Sequence, residues 1–145
     1  YYTSPRQLVG TSNPLIAGGL RATTAEYARL LGLVHNRGTH EGQRLLAASL
    51  VDQIGRDPYP QSAVGFTPFV ARTLRYGLSA WLECATPATS CDVLSSAGAF
   101  GFMPWIDREG GYYAVIALEE SDDATEFSMR LAVELRPLIR AAVRG

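Results

Sequence analysis

The sequence predicts an α+β fold: an antiparallel sheet covered by a long C-terminal helix and preceded by a helical segment. Three observations carry this. Strand-like runs cluster between residues 76 and 118 and are separated by turn residues. Helix signals lie mostly before residue 55 and after residue 122. No strand alternates with a helix in the manner of a parallel βαβ unit.

Residues 1 to 22 are rich in Pro and Gly and read as irregular. The Gly18-Gly19 pair reads as a tight turn before the first helix, since no phosphate-binding glycine loop surrounds it. Thr23-Thr24-Ala25-Glu26 is a capping box, in which a Thr hydroxyl accepts from a free backbone N–H and the Glu reaches back. The helix it opens carries Tyr27, Leu30, Leu31 and Val34 on one face. It should stop at His35-Asn36-Arg37-Gly38, where Asn and Gly suit a C-cap. Gly42 to Leu46 reads as a short extended link. Ser49-Leu50-Val51-Asp52 resembles a second cap, opening a short helix through about Ile54. Residues 55 to 73 read as loop, with Pro58, Pro60, Gly65 and Pro68.

The sheet follows. Tyr76 to Glu83 reads as one strand and Asp92 to Ala97 as its hairpin partner. Phe100 to Asp107 is a further strand, and Asp107-Arg108-Glu109-Gly110-Gly111 is a turn. Tyr112 to Leu118 is a nearly continuous apolar run, expected to be buried on both faces. From Asp122 a long helix runs to the end, acidic first and Arg-rich last, in accord with the macrodipole. Phe127, Leu131, Leu135 and Leu138 supply its expected packing face, and Pro137 should kink it or shift its hydrogen bonds.

Composition narrows the function. The chain has 145 residues, 47% hydrophobic and 19% charged, with net charge −1. It is long enough for one domain with a core, and its charge leaves no nucleic-acid footprint or polybasic membrane patch. No run reaches the roughly 18 apolar residues of a membrane span. All 13 basic residues are Arg, so no lysine base or Schiff base is available. The chain starts at Tyr1 without an initiator Met, as expected of a processed product or a part of something longer.

Cys84 and Cys91 bracket a short Pro/Thr/Ser loop between two strand-like runs. A hairpin would bring them within bridging distance. A disulfide, and with it an oxidising compartment, is the expected state; two reduced thiols are the alternative. Metal binding is not expected, because His35 and His40 are remote from the cysteines and the set is too small for zinc. Both histidines read as exposed loop residues. No G-x-S-x-G elbow accompanies them, so a self-contained serine triad is not expected. The Glu119-Glu120 and Asp122-Asp123 pairs are accounted for by capping and dipole roles at a helix start. One stretch lacks such an explanation. Ser95-Ser96-Ala97-Gly98-Ala99 places small residues where a buried strand would want bulk, and glycine in a strand marks close approach by a ligand or another backbone.

The chain resembles the serine β-lactamase and penicillin-binding-protein-like hydrolases, and most of all the class C β-lactamase and family VIII carboxylesterase group. The resemblance begins with the segment from Asn13 to Thr23, containing Ala17-Gly18-Gly19-Leu20, and Glu26-Tyr27-Ala28-Arg29. It continues through Arg44-Leu45-Leu46 with Ser49-Leu50-Val51, and Tyr76-Gly77-Leu78-Ser79-Ala80-Trp81. It ends with Ser96-Ala97-Gly98-Ala99-Phe100-Gly101, Pro104-Trp105-Ile106-Asp107 and the closing helix. The order and spacing of these stretches, from about Asn13 onward, carry the likeness. It implies that residues 1–145 are the C-terminal portion of a single β-lactamase-like domain. Residues 1–73 would be its helical and loop part, and 74–145 its hairpins and closing helix.

The resemblance also implies a site. The family's active-site strand carries a Lys-Thr-Gly or His-x-Gly triplet, and Ser96-Ala97-Gly98 stands at that position as the substrate-binding stretch. The N–H of Ala99 would be one oxyanion-hole donor. Ser96 replaces a cation or imidazole, which argues against strong recognition of penicillin-type carboxylates. The Ser-x-x-Lys nucleophile motif cannot occur without a lysine, and Tyr-x-Asn is absent too; Tyr2-Thr3-Ser4 stands too near the Gly-Gly segment to replace it. Nucleophile and base are therefore expected from an N-terminal portion of the same enzyme, acting on a small-molecule ester, β-lactam or amide without a cofactor. A secreted or periplasmic location is expected, with a cytoplasmic one as the alternative. The alternatives are a non-catalytic member, or small residues that serve only helix-on-sheet packing.

Overall fold

A computed structural model describes residues 20, 22–67, 74–84, 91–118 and 123–145. The Ala-Gly-Gly segment, Tyr2-Thr3-Ser4, the loop between the cysteines, Glu119-Glu120 and Asp122 lie outside the described residues. Helix α1 spans Thr24–His35. Its capping box forms as expected: Glu26 N–H donates to Thr23 Oγ1 over 3.2 Å, and Thr23 N–H donates to Glu26 Oε2 over 2.8 Å. Asn36 is the C-cap.

The link after α1 is more ordered than expected. Thr39–His40 (β1) and Gln43–Arg44 (β2) form a small antiparallel hairpin. Its two turn residues, Glu41 and Gly42, both take positive φ, the geometry a two-residue hairpin turn demands. Helix α2, Ala48–Ile54, starts one residue before the expected cap: Ala47 is the N-cap, and no side chain caps it. Asp52 turns to Arg37 instead, accepting from Arg37 Nε over 3.0 Å.

Five strands form one antiparallel meander in the order β3-β4-β5-β6-β7. They are Arg75–Tyr76 (β3), Trp81–Glu83 (β4), Val93–Ser95 (β5), Met103–Asp107 (β6) and Tyr112–Ile116 (β7). The single strand expected over Tyr76 to Glu83 is thus two strands and a turn. Gly77 N–H donates to the Ala80 carbonyl over 2.8 Å, and Ser79 takes φ 71°. The run is read wrongly from sequence because Leu78, Ser79 and Ala80 look like strand residues while their backbone reverses direction.

Directly opposed residues of an antiparallel pair share a sheet face, and the register therefore sorts the core. Leu82, Leu94 and Ile106 line up across β4, β5 and β6. They pack with Leu31 of α1. The other face carries Val93, Met103, Trp105 and Tyr112, packed on Ala132 of helix α3, Ala124–Arg144. The result is a sheet between two helices, with α3 across one face as expected and α1 across the other.

Two expectations need correction. The strand buried on both faces is β6, all five of whose residues are buried. β7, the expected one, ends the described sheet and leaves Tyr113 exposed. In α3 the buried row is Ala124, Ser128 and Ala132, while Phe127 and Leu138 are exposed. The packing row is shifted by one residue, about 100° of rotation, because small side chains let the helix approach the bulky Met103, Trp105 and Tyr112. The helix continues as one element through the exposed Pro137.

Candidate functional site

The suspect small-residue stretch lies where β5 leaves the core. Ser95 is 2% exposed, Ser96 to Gly98 are half-buried, and Ala99 and Phe100 are exposed. Hydrogen bonds extend the β5–β6 pairing beyond the strand. Ser96 N–H donates to the Pro104 carbonyl over 3.1 Å, and Gly98 N–H to the Phe102 carbonyl over 2.8 Å. Gly98 to Gly101 then closes a turn, in which Gly101 N–H donates to the Gly98 carbonyl over 3.0 Å and Gly101 takes φ 85°. Thr125, in the first turn of α3, donates its hydroxyl to the same carbonyl over 2.8 Å. Both backbone groups of Gly98 are therefore engaged. The N–H of Ala99 donates to no backbone carbonyl among the described residues and sits on an exposed residue held by this bonded frame.

Gly98 has a local reason to be glycine. A Cβ there would lie 3.3 Å from the Phe102 carbonyl oxygen and 3.6 Å from the Phe102 Cβ. The backbone that approaches closely is the chain's own, across the hairpin. Beside Gly98, Ser95 Oγ is buried with no hydrogen-bond partner among the described residues.

A cleft of about 530 Å³ opens beside Ser96 and Ala97. Its far wall is the loop after α2, which Arg75 of β3 pins down. The Arg75 guanidinium bonds Asp57 Oδ2 through Nε (2.5 Å), the Ser62 carbonyl through Nη1 (2.9 Å) and the Tyr59 carbonyl through Nη2. Asp57 also accepts from Tyr59 N–H over 2.8 Å. The Arg75 hydrogen bond holds the Asp57 carboxyl below its ordinary range. Sequence reading left this clamp unseen. The signal available was Asp57-Pro58-Tyr59, an Asx-turn pattern, but nothing local pairs it with an arginine 18 positions on.

Other polar side chains hold the frame. Arg136 pairs with Glu83 through Nη1 and Nη2 and lies 5.7 Å above the Trp105 ring. Arg140 grips the buried Asp107 at 2.6 and 3.0 Å. Burial pushes the Asp107 carboxyl up, but the Arg140 hydrogen bonds, the Gly110 N–H and the Arg140 charge together hold it below its ordinary range. Cys84 and Cys91 are joined in a disulfide with a Cα–Cα distance of 4.5 Å, as expected from their spacing. The histidines differ from expectation. His35 is half-buried at the end of α1, its ring 5.6 Å from that of Tyr113, and His40 lies in β1. No group of three potential metal ligands occurs among the described residues, and no helix there is long and apolar enough to cross a membrane.

No protein-family model and no curated protein matches the chain. Solved structures do. One, from Bacteroides dorei DSM 17855 and described as a "putative beta-lactamase", superposes with a TM-score of 0.76 at 23% identity. The match covers 94% of this chain and 45% of that one. The likeness is one of fold: the chain has a β-lactamase-like partial fold and spans less than half the length of this structural neighbour.

Proposed function

We propose that the chain is the C-terminal portion of a serine hydrolase of the class C β-lactamase and family VIII carboxylesterase type. It would use acyl-enzyme chemistry on an ester, a β-lactam or a peptide-like amide. The observation that carries this is Ala99, an exposed residue in the turn that follows β5, whose N–H donates to no backbone carbonyl among the described residues, in a β-lactamase-like fold. That N–H serves as one oxyanion donor, a contribution of about 10²–10³ in rate. Ser96, Ala97 and Gly98 form the edge along which substrate lies. The nucleophile and its base come from an N-terminal portion carrying Ser-x-x-Lys and Tyr-x-Asn. The neighbour's greater length supports such a portion, and so do the exposed Phe127 and Leu138 on the outer side of α3. The disulfide supports a secreted or periplasmic site of action.

A second reading has its own observation. Ser96 places an uncharged hydroxyl where the resembling enzymes hold a cation or imidazole, which favours a non-catalytic β-lactamase-like binding or structural protein. A fluorophosphonate probe applied to the full-length protein separates the two. The hydrolase reading expects covalent label on a serine outside residues 1–145, together with turnover of p-nitrophenyl acetate or nitrocefin. Label within this stretch would displace the nucleophile assignment, and neither label nor turnover would leave the binding reading.

A further inference from the structure

The cleft beside Ser96 and Ala97 has a chemical character of its own. We infer that it is a specificity pocket for an uncharged aromatic or aliphatic limb of the substrate, an inference that rests on the hydrolase reading above. The preferred substrate then carries no carboxylate on that limb.

Four aromatic side chains face this one concavity: Tyr59, Phe66, Tyr76 and Trp81. Its volume of about 530 Å³ suits a small-molecule limb. Phe66 is 88% exposed, Tyr59 71% and Val64 51%. Single exposed apolar residues need no explanation, but their convergence on one hollow does. The hollow is also built. Arg75 ties the Asp57–Ser62 loop to the sheet, and Tyr76 and Trp81 stack edge to face at 4.7 Å, so the wall stands without a ligand.

Charge selects the limb. Asp57 and Arg75 are the charged groups among the described lining residues, and they neutralise each other. Arg75 Nε, Nη1 and Nη2 are all engaged with protein oxygens. Among the described lining residues, a carboxylate entering the cleft would lose water and find the cation already paired with Asp57, or would have to break the Arg75 clamp that forms the wall. Either outcome is unfavourable. Ser96 adds no charge. An alkyl or aryl group meets the matching surface of Tyr59, Val64, Phe66, Tyr76 and Trp81.

The test uses the full-length protein and p-nitrophenyl esters from acetate to hexanoate. The charged probe is the mono-p-nitrophenyl ester of glutaric acid, matched in length to pentanoate. The expected kcat/KM rises about three- to fourfold per added methylene, and the glutarate monoester falls at least tenfold below pentanoate. Phe66→Ala is expected to lower the hexanoate-to-acetate ratio about tenfold. Flat chain-length dependence, or a glutarate monoester as good as pentanoate, overturns the pocket while leaving the hydrolase intact. If no ester turns over, binding decides the pocket, and the hydrolase reading fails only if nitrocefin and the fluorophosphonate probe are also inert. Methyl phenylacetate should then give a saturable tryptophan-fluorescence change that Trp81→Phe removes and that phenylacetate anion does not produce. Response to the anion, or to neither compound, overturns it.

Discussion

Asp107 has no exposed surface and keeps its charge through Arg140 and the Gly110 N–H, which donates over 2.7 Å. Removing the cation would strand a buried carboxylate, so Arg140→Ala should lose about 3 kcal/mol in urea unfolding. The acid response has a definite sign. A carboxyl held below its unfolded value of about 3.9 stabilises the fold fully above that pH, and the contribution is lost as pH falls through the lower, folded value. Stability should therefore fall below about pH 4, and Asp107→Asn should flatten that part of the profile. Gly77 is a steric requirement of another kind: a Cβ there would lie 2.4 Å from the Ile54 carbonyl oxygen. Backbone cannot swing aside as a side chain can, so Gly77→Ala should cost about 1–3 kcal/mol, measured by the same unfolding midpoint. Neither demand is legible locally. Arg140 lies 33 positions from Asp107, and Gly77 reads simply as a turn residue.

At the scale of elements, the hairpin β4–β5 is closed by the Cys84–Cys91 disulfide, with a sequence separation of 7. So short a loop limits the chain entropy at stake. Replacing both cysteines by Ala should lower stability by about 2–3 kcal/mol, checked by unfolding with and without reductant, where the variant should be indifferent to reductant. This pairing, the capping box of α1 and the β6–β7 hairpin were all readable, because each depends on residues a few positions apart. The packing row of α3 was not. Periodicity reveals that a helix has an apolar stripe of Phe127, Leu131, Leu135 and Leu138. It does not reveal that the sheet beneath already presents Trp105, Met103 and Tyr112, over which the fully buried α3 positions are the small Ala124, Ser128 and Ala132, flanked by Met129 and Ile139. The split of Tyr76–Glu83 into two strands has the same origin, since the turn is set by packing of Gly77 on α2.

For the whole molecule, the displaced stripe has a consequence. Phe127 is 52% exposed and Leu138 66%, on the side of α3 turned away from the sheet. β7 ends the described sheet, and its outer edge is a template for pairing. Residues 1–145 alone should therefore self-associate, and Phe127→Ser with Leu138→Ser should shift the population toward monomer, read by light scattering on a sizing column. A monodisperse parent chain with a cooperative melt would count against an N-terminal portion covering this side.

By itself the sequence determined the α+β class, the order of the principal helices and hairpins, the disulfide and the small-residue stretch at Ser96 to Ala99. Each is written in short-range pattern: caps, turns, periodicity and spacing. Only the tertiary structure decided which face of α3 is buried and which strand is fully enclosed. It also decided that Gly98 makes room for Phe102 and that Arg75 holds an aromatic cleft beside Ser96. These depend on which side chains meet across distant stretches of chain, and the volume and charge found there are properties of the assembled neighbours, not of any local run of residues.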